Sequence, residues 1–85
     1  MSAALSRAEG AARVRQECPI NLIQAASVFP RGEHWKSVSV KSLRRWIIGG
    51  KAGVRLDSVR IRGELHTSVA AIGRFVAALE SRSLT

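Results

Sequence analysis

Ser39-Val40-Lys41-Ser42-Leu43-Arg44-Arg45-Trp46-Ile47-Ile48-Gly49-Gly50 is the stretch on which the reading of this chain turns. At about 100° per residue, Val40, Leu43 and Ile47 share one face of a helix, with Trp46 on its flank. Lys41, Ser42 and Arg45 share the opposite face, with Arg44 and Ile48 at its edge. Ser39 is a good N-cap, because its hydroxyl can accept a hydrogen bond from an unsatisfied N–H of the first turn. Gly49-Gly50 can take the left-handed backbone that ends a helix. The spacing therefore predicts a helix over 39–49, apolar beneath and cationic above.

Working upstream, Asn21 is a second N-cap, and Leu22, Ala25, Ala26 and Phe29 follow at i, i+3, i+4 and i+7. Pro30 stops that helix, and Arg31-Gly32-Glu33-His34-Trp35-Lys36 reads as a polar, turn-prone connection. Residues 1–18 are rich in Ala and Arg; alanine favours a loose helix, but no large apolar stripe would dock one, so of the two the flexible N-terminal arm is the favoured reading.

Downstream, residues 54–67 switch to strand character. Val54 and Leu56 flank Arg55, and Val59 and Ile61 flank Arg60. The phase slips at Asp57-Ser58, which predicts a turn or bulge there. Arg62-Gly63 is a hairpin tip, and Leu65 and Thr67 return on the partner strand. Ser68 caps a last helix whose core stripe is Val69, Ile72, Phe75, Val76 and Leu79. Gly73 sits beside that stripe, where it would allow a neighbour to approach closely. Ala70, Ala71, Ala77 and Ala78 form the outer face, and the helix should fray from Ser81.

The bulk numbers bound the class. Eighty-five residues make one small domain, here 19–82, with a modest buried fraction. The net charge is +8, and 11 of the 14 basic residues are Arg, since Lys occurs only at 36, 41 and 51. Guanidinium forks suit phosphate and base edges better than a lysine point charge does. A single cysteine, Cys18, rules out an internal disulfide and suits a reducing, cytoplasmic compartment. No apolar run approaches the ~20 residues of a membrane span. Glu9 and Gly10 interrupt the alanines that a secretory signal would need. The Arg and Ser content faintly suggests an organelle transit segment, against which the acidic Glu9 counts.

Catalytic chemistry finds no convergent groups. Glu33, Asp57 and Glu64 lie in separate segments, and neither His34 nor His66 stands in a nucleophile signature with Cys18. One Cys and two His at no recognised spacing make a poor zinc set. Gly49-Gly50-Lys51 fails the phosphate-loop pattern: Ala52 replaces the hydroxyl residue, and the helix precedes the glycines. The second helix is too short to lie on a membrane and needs its oily face for the core. No enzyme, metal or cofactor is expected.

Charge is concentrated instead. Between residues 31 and 66, nine basic residues (Arg31, Lys36, Lys41, Arg44, Arg45, Lys51, Arg55, Arg60, Arg62) face three acidic ones (Glu33, Asp57, Glu64). Six of the eight net charges therefore lie in that stretch. A helix anchored by one face and offering long donors on the other can read duplex DNA. Ser42 and Arg45 are candidates for base contact, the Arg because it can grip guanine with two hydrogen bonds. Lys41 and Arg44 are candidates for phosphate, and Arg60 and Arg62 for the flanking groove or backbone. His66 is a weaker candidate, and the helix start at Asn21 could donate N–H groups to a phosphate. The competing reading is a solvated cationic face with no partner. RNA lacks support, since Phe29 and Phe75 read as core and leave no stacking platform.

The pattern resembles the excisionase and MerR-like class of small winged helix-turn-helix domains over about residues 19–80. The residues carrying the likeness are Asn21-Leu22-Ile23-Gln24-Ala25-Ala26, then Val40 to Ile47 with Gly49, then Val59-Arg60-Ile61-Arg62-Gly63, and Thr67-Ser68 leading to Ile72 and Phe75. The Leu-Arg-Arg-Trp-Ile and Gly-Val-Arg-Leu phrases place it nearest an uncharacterised bacterial branch. The resemblance implies an α+β fold of two packed helices, a basic β-hairpin wing and a closing helix. It implies duplex DNA binding, with the second helix in the major groove and the wing beside it. Relatives act in recombination directionality, phage packaging or transcription. The chain lacks a long dimerising helix and a ligand domain, so no small-molecule effector is expected. The connection before Val38 is longer than a tight helix-turn-helix turn. The expected partner is double-stranded DNA near the nucleoid, with a second copy on DNA left open. The alternative is a protein-interaction module binding an acidic partner or self-associating.

Overall fold

A computed structural model describes residues 7–30, 35 and 38–83. It is a small α+β domain of four helices and one three-stranded antiparallel sheet, in the order α1 (Arg7–Gln16), β1 (Ile20–Asn21), α2 (Leu22–Val28), α3 (Val40–Ile48), β2 (Val59–Ile61), β3 (Glu64–Thr67), α4 (Val69–Ser83). Of the connection read from Arg31 to Lys36, only Trp35 is described; residues 1–6 and His34 lie outside the described residues.

The local signals place three helix starts as the sequence predicts. Asn21 Oδ1 accepts the Gln24 N–H at 2.8 Å while Gln24 Oε1 accepts the Asn21 N–H at 3.2 Å, a reciprocal cap. Ser39 Oγ accepts from the Ser42 N–H, and Ser68 Oγ from the Ala71 N–H at 2.9 Å. Gly49 closes α3 by donating to the Arg45 carbonyl at 2.8 Å, and Gly50 follows with φ +83°.

β3 is the central strand, flanked by β1 (Ile20 opposite Thr67) and by β2 (Val59 opposite His66, Arg60 opposite Leu65). Arg62 and Gly63, with φ +53° and +83°, form the two-residue turn between β2 and β3. Positive φ at both central positions gives the turn a twist that matches the strands, and glycine takes it without steric cost. The predicted strand run over 54–67 is shorter in fact. Val54 closes a separate tight turn with Lys51 through two backbone hydrogen bonds, and 55–58 is irregular until β2 begins at Val59.

Leu22, Ala25, Phe29, Leu43, Ile47, Leu56, Ile72, Phe75 and Val76 form the main core between α2, α3 and α4. The two Phe and two Trp of the chain meet there. Phe29, Trp35, Trp46 and Phe75 have every ring pair within 6.3 Å, and the nearest, Phe29 and Trp35, stand 5.2 Å apart. Each such pair adds about 0.5–1.5 kcal/mol beyond area burial. Trp35 thus ties the α2–α3 connection to the core, although the segment around it is polar and turn-prone in sequence.

The flexible arm expected over 1–18 is corrected from Arg7 onward. Residues 7–16 are helix α1, and Val14 is fully buried against Val59 and Ala71 with Ala11 and Ile61 alongside. Gly10 permits this docking: a Cβ there would lie 2.6 Å from an Asp57 carboxylate oxygen. The same docking corrects the faces of α4. Ala71 is buried and Val69 is 57% exposed, the reverse of the expectation, because a small side chain is needed where α1 and β2 crowd α4. Gly73 is exposed with nothing near it, so it permits no close approach. The helix continues past the predicted fray point at Ser81 to Ser83.

Arg74 locks α1 and α4 together. Its guanidinium donates to Glu17 Oε2 at 2.6 Å, Glu17 Oε1 at 3.2 Å and Asp57 Oδ2 at 3.2 Å, while the Ser68 hydroxyl donates to Glu17 Oε1 at 2.8 Å. The hydrogen bond from Arg74 holds the Glu17 carboxyl below its ordinary range; burial opposes this, and the Ser68 hydroxyl and the charge of Arg74 add to it. Arg74 is correspondingly held more firmly protonated, chiefly by Glu17.

Candidate nucleic-acid interface

α3 turns its apolar side inward and its cations outward. Leu43 and Ile47 are buried, while Lys41, Arg44, Arg45 and Ile48 are exposed. The i, i+4 spacing arranges these in two rows, Lys41 with Arg45 and Arg44 with Ile48. Lys41, Arg44, Arg45 and Arg62 make no ion pair with any described residue. Their charge is therefore not neutralised from within the described fold.

The hairpin stands beside α3. Leu65 packs on the main core, and the Leu56 N–H donates to the Trp46 carbonyl at 3.2 Å, which fixes the segment before β2 directly to α3. A shallow groove results between the start of α2, α3 and the hairpin, lined by Ile23, Arg44, Ile48, Arg60, Gly63 and Leu65. Arg60 is exposed and donates to the Gly63 carbonyl at 3.1 Å, so its guanidinium braces the turn while it edges the groove. Arg62 stands exposed at the tip.

Arg44 and Arg60 are thus the two predicted residues that share one groove, while Lys41 and Arg45 stand on the outer row of α3. Ser42 is set apart. It is half-buried, and its N–H is committed to the Ser39 hydroxyl, which also lies 3.2 Å from the Ser42 hydroxyl. His66 lies opposite Val59, on the sheet face that α1 covers, and its Nδ1 is 3.1 Å from the Glu64 carbonyl. Alternation along the strands puts it on the other side of the hairpin from Arg60. The phosphate role considered for the helix start at Asn21 is narrowed, since the reciprocal cap already occupies the Asn21 and Gln24 N–H groups.

Two side chains of the groove went unnoticed as site residues. Ile23 is 76% and Ile48 is 63% exposed, large apolar groups on the cationic side of the molecule. The signal was present in the helix phase, which leaves Ile48 off the apolar face of α3, but an isolated exposed Ile is common enough to pass without remark. The four aromatic rings are drawn into the core, with Phe29 and Phe75 buried and Trp35 and Trp46 half-buried. Lys51 lies 5.6 Å over the Trp46 ring. Among the described residues no three His, Cys, Asp or Glu side chains gather as a metal set, and no helix is long and apolar enough to cross a membrane.

Fold and surface together define a small α+β domain that presents an arginine-bearing helix next to a short hairpin. The chain belongs to the family described as Protein of unknown function (DUF1580), whose model matches residues 21–80. The matched span takes in α2, α3, the hairpin and most of α4, and begins after α1. No curated protein and no solved structure matches the chain.

Proposed function

We propose that this protein is a winged helix-turn-helix that binds double-stranded DNA without catalysis, in excision or local transcription control, in the bacterial cytoplasm at the nucleoid. α2 and α3 are the helix pair, α3 enters the major groove, and the β2–β3 hairpin is the wing. One observation carries the reading: the cations of α3 have no carboxylate partner among the described residues and stand beside a hairpin bearing Arg60 and Arg62. The strand β1 supports it too, because pairing with β3 holds the wing to the start of α2. Arg45 is the base-reading residue, Lys41 and Arg44 contact phosphates, and Arg60 and Arg62 contact the flanking backbone. Ser42 supports the start of α3 by donating its N–H to the Ser39 cap.

Fluorescence anisotropy with a labelled random-sequence duplex tests this across a salt series. Neutralising about five phosphates gives log K a slope near −4.5 against log salt. No binding at low salt would overturn the proposal and leave the basic face to an acidic protein partner.

A further inference from the structure

We propose that Ile48, with Ile23 beside it, contacts the 5-methyl group of thymine, so that the protein prefers thymine at one position of its site. The inference rests on the DNA-binding reading and deepens it. Ile48 is 63% and Ile23 76% exposed, although both belong to helices with well-filled inner faces. They line one groove together with Arg44, Arg60 and the acidic Glu64, so its basic residues outnumber its acidic one by two to one. A partner that fits must offer anions to the two arginines and something small and apolar to the two isoleucines. The major groove of B-form DNA offers both: phosphates along its walls, and the thymine methyl as the apolar group on its base edges. Duplex RNA offers phosphates but not the second feature, since side chains cannot read its deep, narrow major groove and uracil lacks the methyl. Ile48 lies one helical turn from Arg44 on the same row of α3, so a phosphate held by Arg44 brings a base edge toward Ile48.

The probe is a pair of synthetic duplexes of equal length, alternating dA-dT and alternating dA-dU. They carry the same charge and the same hydrogen-bonding groups and differ only in the methyl. The full chain should bind the dA-dT duplex about fourfold more tightly for each methyl buried. Ile48→Ala should abolish that preference by bringing affinity for the dA-dT duplex down to that for the dA-dU duplex, with an unchanged circular dichroism spectrum. Equal binding of the native chain to both duplexes overturns the thymine contact and leaves DNA binding standing. A preference that survives in Ile48→Ala also overturns it, because the discrimination then comes from duplex shape. Binding to neither duplex overturns the DNA reading itself. Tighter binding of a poly-glutamate peptide than of either duplex would assign the groove to an acidic protein instead.

Discussion

Arg74 and Arg45 carry the same guanidinium to opposite uses. Arg74 is two-thirds covered and makes three hydrogen bonds to two carboxylates drawn from distant parts of the chain. Arg45 stands in solvent on α3 with no ion pair to any described residue. The α1–α4 side of the molecule spends its charge on holding itself together. The α3–hairpin side leaves its charge unneutralised and rests on an apolar core for stability. Substitutions on the first side should therefore change folding and spare affinity, while those on the second should do the reverse.

The largest effect should come from the core on which both sides rest. Phe75 is 2% exposed and touches the other three aromatic rings. Phe75→Ala should cost about 3–5 kcal/mol of unfolding free energy in urea, enough to unfold much of a domain this small. A loss under 1 kcal/mol would mean that the ring cluster does not hold the α2–α3 connection. Arg74→Ala comes next. It strands Glu17 and Asp57, but its side chain is 33% exposed, so water replaces part of what is lost. A cost of about 2 kcal/mol is expected, with DNA affinity per folded molecule unchanged. A large loss of affinity in that variant would end the division of labour between the two sides.

On the other side, Arg45→Ala should weaken binding to a selected duplex by about 1–3 kcal/mol. The midpoint of urea unfolding should stay within the equivalent of about 0.5 kcal/mol, as for other surface changes. Arg44→Ala should weaken specific and random duplexes alike and reduce the salt slope by about 1. Arg45→Ala with unaltered affinity would remove that residue from base reading.

How much of this was legible in the sequence follows from the range of each interaction. Caps and helix faces are local, so Asn21, Ser39 and Ser68 announced their helices, and Arg62-Gly63 announced its turn. Arg74 meets Glu17 across 57 residues and Asp57 across 17, distances over which no periodicity speaks. β1 is two residues long and exists only because β3 pairs with it. α1 buries the single large side chain Val14, too little to form a stripe, and with α1 unplaced the burial of Ala71 could not be foreseen. On the candidate site, the outward cations of α3 followed from phase alone. That Arg44 rather than Ser42 faces the hairpin needed the third dimension.

The smallest effect should appear in acid, and it separates the two sides without a truncation. Glu17 is held below its ordinary value of 4.5, first by Arg74. A carboxylate whose folded value is depressed stabilises fully above its unfolded value and loses that contribution as pH falls through the folded one. Stability should therefore be level from neutral pH down to about 5 and decline below 4.5, with α1 loosening first. Arg13 and Arg15 are exposed on α1, so a brief return to neutral pH with trypsin should show early cleavage there if α1 re-docks slowly; hydrogen exchange of α1 amides in acid reads the same event directly. Glu17→Gln keeps an acceptor for Arg74 and Ser68 but removes the charge, so it should lower stability less than Arg74→Ala does and flatten the acid decline. An unchanged acid profile in Glu17→Gln would assign the decline to another carboxylate. A fall in DNA affinity that outruns the loss of folded protein would mean that α1 and α3 are coupled.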